Sequence, residues 1–245
     1  KVEQNRKECY IREFSIEHFH DSKVFETLIP KICKIFREEN EELTGFENEE
    51  ILAEYQIYKT PGYVYMKGNV QIYSAGKQAA DISAFPEGIA VAVGSEEDVP
   101  DICPDQTIDK VFTIENLTSF YRFKQEHSLV IYLGGYHNHS RRNLLMQIYQ
   151  KLPDAQYYHF GDLDAGGFYI LEHLKRKTGI PFQMFQMDIE TLKKYEDYAK
   201  PLTENDKKRL MQLEKMELPD EERKLITYML QKGIKLEQEC ISESQ

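Results

Sequence analysis

Glu115, Asp162 and Asp164 are the residues of this chain whose types and spacing best suit chemistry. Glu115 directly follows the apolar run Val111-Phe-Thr-Ile114, and the two aspartates follow Tyr157-Tyr-His-Phe160. Each acid therefore leaves the end of an expected strand. Three carboxylates gathered there repel and raise one another's pKa unless a cation neutralises them, and hard divalent cations favour an all-oxygen setting. The expected cofactor is Mg²⁺ or Mn²⁺. An Asp-x-Asp alone serves equally as a polar turn or helix cap, so the metal reading depends on Glu115. A calcium loop of the EF-hand kind is excluded, because the twelfth position counted from Asp162 is His173 where a Glu is required. An aspartyl-phosphate phosphatase would carry its Asp-x-Asp after the first strand of the sheet, whereas here it follows the third. The small residues Ala165, Gly166 and Gly167 permit unusual backbone angles and let a phosphate approach the next helix.

Arg141 and Arg142 open an expected helix behind Gly134-Gly135, where charge-assisted hydrogen bonds can hold a phosphate. His137, in the same loop, is placed to contact phosphate or assist proton transfer. Solvated side chains in a polar loop and at a helix start are the alternative for all three.

The elements that must position these groups alternate beyond residue 108: strand 110–114, helix 117–125, strand 129–133, helix 140–152, strand 156–160, helix 166–177, strand 182–186. Helical connections place successive strands parallel, giving an α/β fold with an open parallel sheet flanked by helices. Ligands bind such sheets beyond the carboxyl ends of the strands, where the three acids lie. Upstream, apolar spacing over 22–39 predicts an amphipathic helix, and Tyr- and Val-rich runs at 55–59, 63–67, 70–73 and 89–93 predict short strands. An acidic stretch over 95–106 reads as a loop, so the expected division is an α+β region over 1–108 and a second domain over 109–245, ending in a helical tail packed on the sheet.

Of the 245 residues 41% are hydrophobic and 30% charged, sufficient for a packed core. No apolar run approaches the roughly 20 residues that span a bilayer, and the expected location is cytoplasmic. Cys9, Cys33, Cys103 and Cys240 are scattered, a poor pattern for zinc or a disulfide framework. A start at Lys1 rather than Met suggests a fragment of a longer protein. The net charge of −11 argues against a general nucleic-acid surface, yet it is unevenly distributed. Residues 38–54 hold eight Glu, whereas 121–153 hold Arg122, Lys124, Arg141, Arg142 and Lys151 against Glu126 alone.

The order Glu115-Asn116, Leu133-Gly-Gly-Tyr-His-Asn138 and Gly161-Asp-Leu-Asp-Ala-Gly-Gly167 resembles the Toprim domain, in the version shared by topoisomerase VI A subunits and the JetD nucleases of Wadjet plasmid-defence systems. His20-Asp-Ser-Lys23, Pro61-Gly-Tyr-Val-Tyr-Met-Lys-Gly68 and Leu236-Glu-Gln-Glu239 extend the likeness to JetD over most of the chain. The resemblance implies a homodimeric, metal-dependent endonuclease acting on double-stranded plasmid DNA with an SMC-like motor complex. It carries Glu115, Asp162 and Asp164 over as the Toprim acids, and Glu237 and Glu239 as a C-terminal acidic motif able to add a metal ligand. Exposed helical glutamates are the alternative for that pair. A topoisomerase VI A subunit uses a tyrosine on a winged-helix domain, and no winged helix is recognisable before residue 108. A topoisomerase-like transesterase and a non-catalytic docking module stay open beside the nuclease.

Overall fold

A computed structural model describes residues 1–40, 43, 46–59, 62–93, 100–134 and 139–241. The strands expected in the second half form as Lys110–Ile114, Ser128–Tyr132, Gln156–Phe160 and Gln183–Met184. All pair in parallel, linked through helices at Leu117–Arg122, His139–Lys151 and Ala165–Thr178.

The sheet extends further than expected. Its order is Gln183–Met184, Gln156–Phe160, Lys110–Ile114, Ser128–Tyr132, Gly62–Lys67, Ile89–Val93, and the last two strands run antiparallel to their neighbours. The sheet is thus mixed, and it draws two strands from before residue 108. Leu129, Val130 and Ile131 are buried, so their strand needs a partner on its outer side rather than an open edge. The run containing Val64 and Met66, both fully buried, provides it.

Alternation along the strands sorts side chains into two cores. Val111, Leu129, Ile131 and Tyr157 pack with Leu144, Ile148 and Leu171 on one face, while Phe112, Ile114, Val130 and Phe160 pack with Phe120, Leu192, Ile226 and Met229 on the other. The result is a layered α/β architecture.

The N-terminal segment forms helices Ile11–Phe19, Val24–Glu39 and Asn48–Glu54, the second matching its apolar spacing. Asp101–Pro104 corrects part of the expected 95–106 loop: it pairs with Val70–Ser74 and buries Ile102 and Pro104, but a proline among acidic neighbours reads as a turn rather than a strand. Residues 94–99 lie outside the described residues. After helices Ile189–Lys194, Glu204–Leu213 and Asp220–Lys232 the chain returns to the sheet. There Leu236 and Leu163 exchange both backbone hydrogen bonds, at 2.9 and 3.1 Å. Among the described residues, no helix is long and apolar enough to cross a membrane.

Candidate metal centre

Strand register decides where the acids meet. Ile114 stands opposite Phe160, so both strands end at one level. The Glu115 N–H then donates to Phe160 O at 3.1 Å, and the Asp162 N–H reaches Glu115 Oε2 at 3.4 Å. Asp164 sits at the start of the Ala165–Thr178 helix, its Oδ1 accepting from the Gly167 N–H at 2.9 Å. It is therefore a helix cap as well as a neighbour of the other two acids.

Burial, followed by the nearby Asp162 and Asp164, pushes the Glu115 carboxyl up to about 8. Burial also raises Asp162, to about 6, although the Gln238 N–H opposes the shift; Asp164, Glu239 and Glu237 add to it. A dehydrated cluster of carboxylates is the donor chemistry that suits Mg²⁺ or Mn²⁺. Among the described residues, no three Asp, Glu, His or Cys side chains are grouped so as to hold a metal ion; the acids adjoin without converging on one point.

The surrounding glycines serve by leaving room. A Cβ on Gly161 would come within 2.7 Å of Glu115 Oε2 and 2.8 Å of His159 Nε2, and one on Gly167 would meet the Asp162 carbonyl oxygen at 2.2 Å. Neither these two nor Gly166 has a positive φ, which corrects the expectation of unusual backbone angles. His159, unremarked in the sequence, is completely buried behind this spot. Its Nδ1 lies 3.0 Å from Thr113 Oγ1, its Nε2 has no hydrogen-bond partner, and burial pushes its pKa down to about 3.

Gln238 was also missed, and it holds the pole together. It is fully buried; its Nε2 donates to Phe160 O at 2.9 Å, its Oε1 accepts from the Asn116 N–H at 2.8 Å, and its own N–H donates to Asp162 Oδ1 at 2.7 Å. The flanking glutamates bind elsewhere: Glu237 Oε1 pairs with Lys200 at 2.5 Å, and Glu239 Oε1 accepts from Asn116 Nδ2 at 2.5 Å. Gln238 opens a single 3-10 turn, Gln238–Cys240, capped by Glu237, so no strand or helix periodicity of the segment announced its burial.

The arginines are engaged by the protein. Arg142 is buried and its Nη1 meets Glu54 Oε1 at 2.8 Å. Arg141 Nη1 donates to Leu133 O at 2.7 Å and its Nη2 to Tyr63 O at 3.4 Å. A guanidinium drawn into the interior needs such acceptors, so the helix start does not offer Arg142 to a phosphate as expected. His137 lies outside the described residues.

With this geometry in hand, comparison with known proteins is informative. A family described as Wadjet protein JetD, C-terminal, matches residues 97–245, more than half of the chain. The chain belongs to the JetD C-terminal family. It is also 30% identical over 235 residues to the Wadjet protein JetD of Bacillus cereus (strain Q1), an alignment covering 94% of this chain and 56% of that protein. The chain thus spans a little over half the length of this curated relative. Glu115, Asp162, Asp164, Glu237 and Glu239 all fall within the stretch matched by the JetD family.

Proposed function

We propose that this chain is the catalytic part of a metal-dependent endonuclease, the nuclease subunit of a Wadjet system. In this reading it hydrolyses phosphodiesters of double-stranded plasmid DNA, as a homodimer, alongside an SMC-like motor complex. The observation that carries the proposal is the meeting of Glu115 and Asp162, with Asp164 beside them, at the carboxyl ends of adjacent parallel strands. Membership of the JetD family and the resemblance to Toprim acids support it.

Glu115, Asp162 and Asp164 would hold Mg²⁺ or Mn²⁺. Glu237 and Glu239 each commit one carboxylate oxygen, to Lys200 and to Asn116, and either would join them through the other. Such a cation, when bound, supplies Lewis-acid stabilisation of the charge that develops on a phosphodiester under attack. The remaining work falls to the chain. Asp162 is oriented by the Gln238 N–H, Asp164 is anchored by the helix start, and Glu115 accepts a proton from the attacking water.

The test is Asp162→Asn, which preserves shape and removes one negative charge. Calorimetric titration with Mn²⁺ should show affinity at least about tenfold weaker, and plasmid cleavage should fall by orders of magnitude. The melting temperature without metal should hold or rise, because a repelling charge is gone. Unaltered Mn²⁺ binding and full cleavage by the folded variant would overturn the nuclease reading. The lack of three convergent donors among the described residues favours a second reading, a docking module that works without metal. Failure of the unmodified chain to take up Mn²⁺ would select it.

A further inference from the structure

The cationic stretch between residues 121 and 153 divides once folded. Arg142 pairs with Glu54, Arg141 donates to main-chain carbonyls, and Lys151 contacts Asp101 and Cys103. Arg122 and Lys124 go elsewhere. Both are exposed and line a cleft of about 860 Å³, where Lys194 joins them from the Ile189–Lys194 helix. Thr118, Ser119 and Thr191 add hydroxyls to the same cleft, whose lining also includes Phe160, two residues before Asp162, and Glu239, bonded to the Asn116 that follows Glu115. Glu87 and Glu239 are its anionic members. Three cations thus outnumber two carboxylates here, in a chain whose net charge is −11.

One detail points to an outside ligand: Arg122 makes no ion pair among the described residues, although acidic side chains abound in this chain.

We infer that this cleft is the track along which one strand of the DNA backbone runs to the acidic pole, with Arg122, Lys124 and Lys194 holding phosphates flanking the one that is cut. The inference rests on the nuclease reading and deepens it by naming where the substrate lies. Lysine and arginine beside hydroxyl groups are the ordinary means of positioning a phosphodiester backbone without reading its sequence.

The test uses Asp162→Asn protein, so that bound DNA is not cut, and a fluorescein-labelled duplex followed by anisotropy across a salt series. Arg122→Ala with Lys194→Ala should weaken binding roughly tenfold near physiological salt and reduce the salt slope by about 2, since two phosphate contacts are lost. The charge-matched control is Lys31→Ala with Lys208→Ala, two exposed lysines outside the cleft, and it should change neither quantity. All four altered side chains lie on the surface or in the open cleft, so equal melting temperatures are expected and serve as the check on folding. If the cleft pair behaves like the control while the parent still binds, the track is overturned and the nuclease reading stands. If the Asp162→Asn parent and the unmodified chain both fail to bind the duplex, both inferences fall.

Discussion

Two glutamates, both largely withdrawn from water, meet opposite electrostatic surroundings. Glu54 closes the Asn48–Glu54 helix against Arg142 at 2.8 Å and Lys177 at 3.4 Å, with His173 at 3.7 Å. Burial pushes its carboxyl up, yet the cations prevail and hold it below the ordinary range. Burial pushes His173 down to about 4, leaving it neutral near pH 7, so Arg142 and Lys177 supply the compensating charge. Burial, reinforced by Asp162 and Asp164, pushes Glu115 up to about 8, with the Asp162 N–H alone opposing the shift. The first site is complete within the chain and ties the N-terminal region to two helices of the sheet. The second shows no compensating cation among the described residues, and its carboxyl is neutralised by a proton instead. Buried charge is retained where the protein neutralises it for structure, or where a ligand will do so for function.

The sharpest way to break this comparison is to remove the compensation from the first site. Arg142→Met should lower stability by roughly 3–5 kcal/mol, because it takes the nearest, buried cation from a buried carboxylate and leaves the partly exposed Lys177 as its remaining charged partner. Glu115→Gln should be neutral or stabilising in metal-free protein. Denaturant unfolding of the two variants side by side checks the contrast, and an equal loss would erase it.

A smaller effect is expected where the acidic pole is scaffolded. Gln238→Ala removes the partner of the Asn116 N–H and one of the two donors to the Phe160 carbonyl, which should cost about 1–3 kcal/mol. It should also weaken Mn²⁺ binding, since the backbone that orients Asp162 loosens. Calorimetry of the folded variant showing unchanged Mn²⁺ affinity would reduce Gln238 to a structural residue.

The smallest effect concerns pH. The Glu115 carboxyl sits at about 8 in the folded chain against an ordinary 4.5, so the folded state keeps a proton that the unfolded state releases. Its contribution to stability is complete below the unfolded value and is lost as pH rises through the folded one. Metal-free protein should therefore lose about 1 kcal/mol between pH 7 and 9, and Glu115→Gln should flatten that slope. A slope identical in both proteins would show that Glu115 does not titrate there.

Much of the acidic pole was legible because it depends on local order along the chain. An apolar run followed by an acid marks a strand end, and alternation with helices sets the strands parallel. Lys110–Ile114 and Gln156–Phe160 accordingly deliver Glu115 and Asp162 to one level. Contacts between distant segments were not legible. The Gly62–Lys67 strand reads as part of a separate region until the buried face of Ser128–Tyr132 demands a neighbour. Arg142 reads as a phosphate ligand until Glu54, 88 residues away, claims it.

What the sequence determined by itself was the strand ends and the acids that follow them, since side-chain type and periodicity are properties of neighbouring residues. Only the tertiary structure decided which charges are satisfied. Gln238 became the clasp of the pole because the tail returns to pair Leu236 with Leu163. Arg122 and Lys194, 72 positions apart by their numbers, came to share one cleft. Burial and long-range packing set the cost of each charge, and neither is written in the spacing of residues along a chain.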